Sequence, residues 1–350
     1  MVKNETMKGL FHKSRIYPVV LMLLMFVVWK CRQSEQAANI HITGITMGTI
    51  GYSVKYIDSN NINYQAQIDS LLVAFNKSLS TYIPNSEISR FNANTLLKFE
   101  TPYFYSVLKA SKEVFDKTNG AFDPTIMPLV NAWGFGPDEA NAPDSAQVEE
   151  LLKSVGFKNI FFDSVSICKL EEGVALDFSA VAKGHAVDLV VDLLEEKGIQ
   201  NIFVEIGGEV YAKGENTAEN KPWMVGIEDP SSATEERKIF SAVKLENKAL
   251  ATSGNYRNYK IISGKKMGHT ISPATGYPVQ HSLLSASVFA KNCTLADAYA
   301  TAFMVLGVEK AKAILAKDKS LNAYLIYEGK NGEPQTFVTD GVNLISDQTD

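Results

Sequence analysis

Cysteine is scarce: three in 350 residues, Cys31, Cys168 and Cys293, with no CxxC pair and no histidine patterned beside them. That excludes a disulfide-dense scaffold and a zinc-finger site. Cys168 and Cys293 could form one disulfide in an exported protein. Nothing in their spacing requires it, and their apolar surroundings read as two buried free thiols. Blocks of like charge are absent too. The net charge is −5, from 34 Lys and Arg against 39 Asp and Glu, which argues against a nucleic-acid surface. There is no G-x-G-x-x-G and no Walker A loop, so a Rossmann dinucleotide site and a P-loop are unsupported. There is no G-x-S-x-G, which leaves a serine hydrolase without its nucleophile turn. Internal repeats and low-complexity stretches are also missing.

Long apolar runs are missing except for one. Ile16 to Trp29 is a fourteen-residue run behind Lys3, Lys8, Lys13 and Arg15. It is short for a membrane span and has the form of a secretory signal. Cys31 stands at its end, as in a bacterial lipoprotein, although Val28-Trp29-Lys30 is a poor lipobox. An uncleaved signal anchor is the alternative. The expected organisation is a signal peptide over 1–30, a polar tether over 31–41 and one domain over 42–345. The expected location is outside the cytoplasmic membrane, on its periplasmic face, with a lipid anchor at Cys31.

What is present is a mixed pattern. Apolar spacing predicts helices over 65–79, 103–118, 145–155, 295–306 and 310–315. Alternation and short apolar runs predict strands over 52–56, 201–206, 223–227, 283–289 and 322–327, with a hairpin around Ser263-Gly264. No strict βαβ rhythm appears, which points to α+β with mixed sheets and flanking helices.

Two stretches carry chemistry. The first is Leu176 to Gly198, where the apolar run Val174-Ala175-Leu176, expected as a buried strand, leads into a helix with Asp177 and Ser179 at the N-cap positions. A helix start gathers free N–H groups and attracts anions. Lys183, four residues after Ser179, would share its face, and Gly184 would let another backbone or a ring come close. An ordinary capped helix with a solvated lysine is the plain alternative. The second stretch is the helix that Thr294 is expected to cap, beginning Leu295-Ala296-Asp297. Asp297 and Thr301 are one turn apart, and a carboxylate with a hydroxyl suits Mg²⁺ better than zinc or copper. A small-residue helix with Asp297 bonded internally is the alternative there. His269, beside a Pro/Gly loop, could carry a proton near neutral pH.

Nine short motifs then fall in one order: Met47-Gly48-Thr49, Ser80-Thr81-Tyr82 with Ser86-Glu87, Gly120 to Pro124, Trp133 to Gly136, Asp177 to Gly184, Gly207-Gly208, Ala251 to Gly254, His269 to Gly276, and Asp297-Ala298-x-Ala300-Thr301. Together they resemble the ApbE family of exported flavin transferases, from about Ile42 to Gly307. The resemblance implies an ApbE-like, T-fold-like α+β architecture of two closely joined lobes. It implies FAD as donor, Mg²⁺, transfer of FMN to a threonine hydroxyl of a partner protein, and AMP as leaving group. The implied partner is a subunit of a membrane redox complex with a Ser/Thr-rich motif. By family position, Met47, Tyr82, Ala121, Phe122, Asp123, Asp177, Lys183 and Ile271 hold FAD. Asp297, Thr301 and a backbone oxygen at Ala180 would hold the metal, and His269, from its own place beside the Pro/Gly loop, is the candidate catalytic base. Two positions depart from the pattern: Ser272 stands where the family has Asp, and His185 where it often has Tyr. An exported FAD pyrophosphatase and a non-catalytic flavin-binding lipoprotein are the competing readings.

Overall fold

The computed structural model describes residues 38–136, 142–217, 219–230, 238–255, 259–262 and 265–345. The signal segment, most of the tether and Cys31 lie outside the described residues. Among those residues no helix is long and apolar enough to cross a membrane.

The chain runs β1 (Ala38–Thr46), β2 (Ile50–Asp58), α1 (Gln65–Leu79), α2 (Glu87–Ala93), β3 (Leu96–Lys98), α3 (Pro102–Lys117), α4 (Met127–Ala132), α5 (Ser145–Leu152), β4 (Ile160–Phe162) and β5 (Ser166–Lys169). It continues with α6 (Ala182–Glu196), β6 (Ile202–Ile206), β7 (Glu209–Lys213), β8 (Trp223–Glu228), β9 (Ile239–Leu245), β10 (Lys248–Gly254), β11 (Tyr259–Ile262) and β12 (Lys265–Gly268). Last come β13 (Leu283–Ala290), α7 (Cys293–Leu306), α8 (Val308–Lys317), β14 (Asn322–Glu328), β15 (Pro334–Val338) and β16 (Asn343–Leu344). The first strand starts at Ala38, inside the segment expected to be tether. Ile40 and Ile42 point inward while Asn39, His41 and Thr43 face water, so half the strand reads as polar in sequence.

One sheet of eight strands, β1-β2-β6-β7-β10-β13-β14-β15, forms the middle layer, and its neighbouring strands are antiparallel. Alternate residues serve its two faces. Val204, Ala251, Val288 and Leu325 join the core that holds α6 and α7. Phe203, Leu250, Phe289 and Tyr324 face the other way, against Trp223, Ile227 and Val243 of the small sheet β16-β9-β8. The helix-side core runs on without a break to Phe91, Ile160 and Ile167 around the third sheet, β3-β5-β4, so the two expected lobes share one interior. Leu129, Trp133, Val148 and Ile271 form a smaller cluster that fixes α4, α5 and the loop after β12 to one another. Cys168 is half-buried and Cys293 buried, both as free thiols.

Candidate active site

The site forms where α6 and α7 begin. The Val174–Leu176 run expected as a strand makes only one bridge, Ala175 to Ile126. The helix cap expected at Asp177 and Ser179 is also absent. Asp177 instead bends the chain back on itself: its carboxylate accepts the Ser179 N–H at 2.8 Å and the Ser179 hydroxyl at 2.9 Å. The helix starts only at Ala182, after a turn closed by N–H bonds from Val181 and Ala182 to the Phe178 carbonyl. Side-chain bonding to a backbone two residues on favours turns as much as helix starts, and here the turn wins. Ser179 and Ala180 therefore sit on a loop lip, not on the face of Lys183.

At α7 the expected cap was Thr294. The cap is Asn292, whose side chain accepts the Leu295 N–H, and Thr294 is engaged elsewhere. The two helix starts meet. A Cβ on Gly184 would stand 2.3 Å from the Cys293 carbonyl oxygen and 2.8 Å from the Asp297 Cβ. Only glycine permits that approach. The Gly184 N–H then donates to Asp297 Oδ2 at 3.0 Å.

Beside this seam lies a cavity of about 430 Å³. Tyr82, Ala121, Phe122, Asp123, Asp177, Ala180, Lys183, His269, Ile271, Asp297 and Thr301 all line it. The residues are far apart in sequence, and the fold brings them to one space. Met47 is the one named residue outside the lining. It occupies the β1–β2 turn with φ +47° and packs against the core. A non-glycine residue in the left-handed region is uncommon and marks a constrained turn. Tyr82 is 73% exposed and stands open to solvent, whereas Phe122, at 2%, is part of the floor and offers no open ring face. His269 meets the edge of the Phe135 ring. Ser272 does not line the cavity. It closes the loop through backbone, accepting N–H bonds from Thr275 and Gly276.

Sequence reasoning gave no site role to Glu209, nor to Thr252 and Ser253 within the Ala251 to Gly254 motif. Thr252 and Ser253 line the cavity, and the Ser253 hydroxyl lies 3.2 Å from that of Thr301. Glu209 is 2% exposed and its Oε1 lies 2.5 Å from Lys183 Nζ. A carboxylate following two turn glycines at a strand start was the available signal.

Burial works against the charge of Lys183, but the Asp297 and Glu209 carboxylates together hold its pKa above the ordinary lysine range. Burial raises Asp177, against the bonds from Ser179. Burial also pushes Asp123 up to about 6, although the Thr125 N–H and hydroxyl both bind its Oδ1. A cation held charged among carboxylates, with the Thr301 hydroxyl and His269 lining the same cavity, can grip a phosphate and a hard metal ion together.

A family model described as the ApbE family matches residues 47–325. The chain belongs to the ApbE family. The FAD:protein FMN transferase of Haemophilus influenzae is 38% identical over 343 residues, covering 93% of this chain and 96% of that one. The FAD:protein FMN transferase of Escherichia coli K12 is 34% identical over 85% of this chain and 88% of its own length. Among solved structures, the flavin transferase ApbE from Vibrio cholerae matches with a TM-score of 0.78 at 33% identity, covering 87% of this chain and 98% of that one. This ApbE-family chain is therefore a transferase with the ApbE α+β fold.

Proposed function

We propose that this chain transfers FMN from FAD to a threonine hydroxyl of a partner protein, with Mg²⁺ bound, and releases AMP. The observation that carries this reading is the convergence of Lys183, Asp297, Thr301, Ala180 and His269 on one cavity. A transferase acting on FAD and a protein is the class to which the chain's relatives belong by name.

The donor set fits Mg²⁺. Asp297 spends Oδ2 on the Gly184 N–H, which fixes its carboxylate at the cavity wall. Thr301 adds a hydroxyl one turn on, and Ala180, a loop residue on the same wall, would add its backbone carbonyl. One carboxylate and two neutral oxygens suit an ion that keeps several waters and binds phosphate. Bound there, Mg²⁺ would neutralise charge on the pyrophosphate.

The residues then divide the work. Lys183 grips the pyrophosphate as a point charge. Tyr82 offers an open ring for stacking against a flavin or adenine. His269 takes the proton from the threonine hydroxyl as its oxygen forms a bond to the FMN phosphorus. The bond from that phosphorus to the bridging oxygen breaks, and the electron pair leaves with AMP. Positioning and charge neutralisation dominate such a step.

We also propose export and a lipid anchor at Cys31, on the basic start, the apolar run and the cysteine at its end. An acceptor subunit of a membrane redox complex suits that location. The test is incubation with FAD, Mg²⁺ and candidate acceptors, followed by mass spectrometry of the acceptor. Flavin on an acceptor threonine with matching AMP supports transfer. AMP released at the same rate without acceptor, and no acceptor labelled, favours a pyrophosphatase. FAD that stays bound and intact favours a non-catalytic binder.

A further inference from the structure

Strand β7 pairs with β10 only from Val210 to Ala212, so the eight-stranded sheet parts beyond Glu209. Ala251 to Gly254 continue along β13 alone, and Thr252, Ser253 and Gly254 line the cavity at the parting. Glu209 stands at the fork, the first residue after the Gly207-Gly208 turn that joins β6 to β7. Both glycines have positive φ, +60° and +99°. A Cβ on Gly207 would lie 2.7 Å from Ile50 Cγ2 and 3.2 Å from Lys183 Cδ. The bare turn thus leaves the channel that the Lys183 stem occupies. At its end, Lys183 Nζ meets Glu209 Oε1 at 2.5 Å.

The lysine is poorly placed without that partner. It is the second residue of α6, where the helix dipole disfavours a cation. It is held by carboxylates from two other elements, Glu209 of β7 and Asp297 of α7. Glu209 in turn is only half satisfied: its buried Oε2 has no hydrogen-bond partner among the described residues. Burial raises the pKa of Glu209, with Lys183 pulling against that rise and Asp297 adding to it. A buried, half-satisfied carboxylate is a poor stabiliser of a fold, and a neutral group of its size is often as good or better there. Its place beside the cavity's ammonium offers a functional reason for it.

We propose that Glu209 is a positioning residue for flavin transfer: it ties the Lys183 ammonium to the cavity wall, so that the charge sits at a fixed point beside Asp297. The inference rests on the reading of Lys183 as the pyrophosphate partner. Two consequences follow. An untethered lysine still attracts phosphate, and with one negative charge gone it does so at least as strongly. It no longer holds the phosphorus in line, and misplacement of this kind costs about 10- to 100-fold in rate.

The experiment compares the parent chain with Glu209→Gln, Glu209→Asp and Lys183→Ala. Three quantities are read: melting temperature, FAD affinity without Mg²⁺ from flavin fluorescence, and AMP release from FAD with Mg²⁺ and a threonine-containing Ser/Thr-rich peptide. The parent's own AMP release sets the scale. Glu209→Gln should keep or gain melting temperature, bind FAD as tightly as the parent or more tightly, and release AMP about 10- to 100-fold more slowly at saturating FAD. Glu209→Asp, which keeps the charge on a shorter arm, should recover part of the rate. A parental rate in Glu209→Gln overturns the proposal. So does a large fall in melting temperature in both Glu209 variants with rates that merely follow the folded fraction, since that is a structural role. Unchanged FAD affinity in Lys183→Ala, with the fold intact, removes the underlying reading instead. Weakened FAD binding there beside a parental Glu209→Gln sinks the Glu209 inference alone.

Discussion

Three consecutive residues, Lys183, Gly184 and His185, face three ways from the start of α6, and the two outer ones make opposite kinds of site. On one side Lys183 looks into the cavity with Asp297 and Thr301. Polar groups there are left unfinished: Glu209 Oε2 has no hydrogen-bond partner among the described residues, and Lys183 is 26% exposed. On the other side His185 closes a network. Its Nε2 lies 2.8 Å from the Ser106 hydroxyl and its Nδ1 3.0 Å from that of Thr294. Asp188 accepts the Cys293 N–H, the Thr294 N–H and the Thr294 hydroxyl. This side also borders a cavity, of about 370 Å³, with Glu113, Asp192 and Glu195 on its wall. Its innermost groups are already spent on one another. A polar cluster that satisfies itself holds the two helix starts together; one that does not is ready for a ligand. Burial drives the His185 pKa down to about 4, which keeps this histidine neutral and structural.

The comparison is broken most directly with its two histidines. His269→Ala should slow transfer by about 10²–10⁴-fold while FAD still binds and the melting temperature holds. His185→Ala should do the reverse. It leaves the Ser106 and Thr294 hydroxyls short of a partner and costs about 1–3 kcal/mol of stability, with activity following the folded fraction. Urea unfolding and single-turnover AMP release on both variants decide this. If His185→Ala folds normally yet loses transfer, the division is wrong.

Forcing the seam is the next test. Gly184→Ala puts a methyl into space held by the Cys293 carbonyl and Asp297. Overpacking of this kind costs about 1–3 kcal/mol, and here it also pushes Asp297 from the Gly184 N–H. A fall in stability together with weaker Mg²⁺ dependence is expected. A variant of parental stability and rate would mean that the helix starts have room to spare.

The smallest effect sharpens the contrast through pH. Asp123 binds a proton more readily in the fold than in the unfolded chain, because burial raises its pKa to about 6. As pH rises from about 4 to 6 the folded state loses stability on its account, and above 6 the full cost is present. Asn at this position carries no such cost and can keep the Thr125 bonds. Asp123→Asn should be more stable than the parent by up to about 3 kcal/mol at pH 7.5, with the gain fading towards pH 4. FAD binding should weaken. Melting curves across that range check it; a gain independent of pH would contradict the assignment.

How much was readable in advance follows the same division. The α1 helix over 65–79 has the boundaries that its apolar spacing gives, because one periodic face decides it. The cavity residues were legible through ordered motifs, since most sit in a turn or the first turns of a helix with a local signature of their own. Glu209 was not, because its importance comes from a strand fork and a lysine in a different element. The caps at Ser179 and Thr294 were misread for a related reason. Both hydroxyls fit a helix start locally, but a nearer carboxylate took each of them: Asp177 took Ser179, and Asp188 took Thr294. Strand β1 at Ala38 escaped notice because an edge strand with one wet face looks like a tether.

The central claim is that the unfinished side of this helix pair carries Mg²⁺-dependent transfer, and Asp297→Asn tests it most directly. The variant keeps an oxygen for the Gly184 N–H and removes only the charge. AMP release from FAD should be titrated against Mg²⁺ for parent and variant. The parent rate should rise with Mg²⁺, while the variant stays about a thousandfold lower at every concentration with its melting temperature unchanged. A variant that releases AMP at the parental rate at low Mg²⁺ would contradict the account.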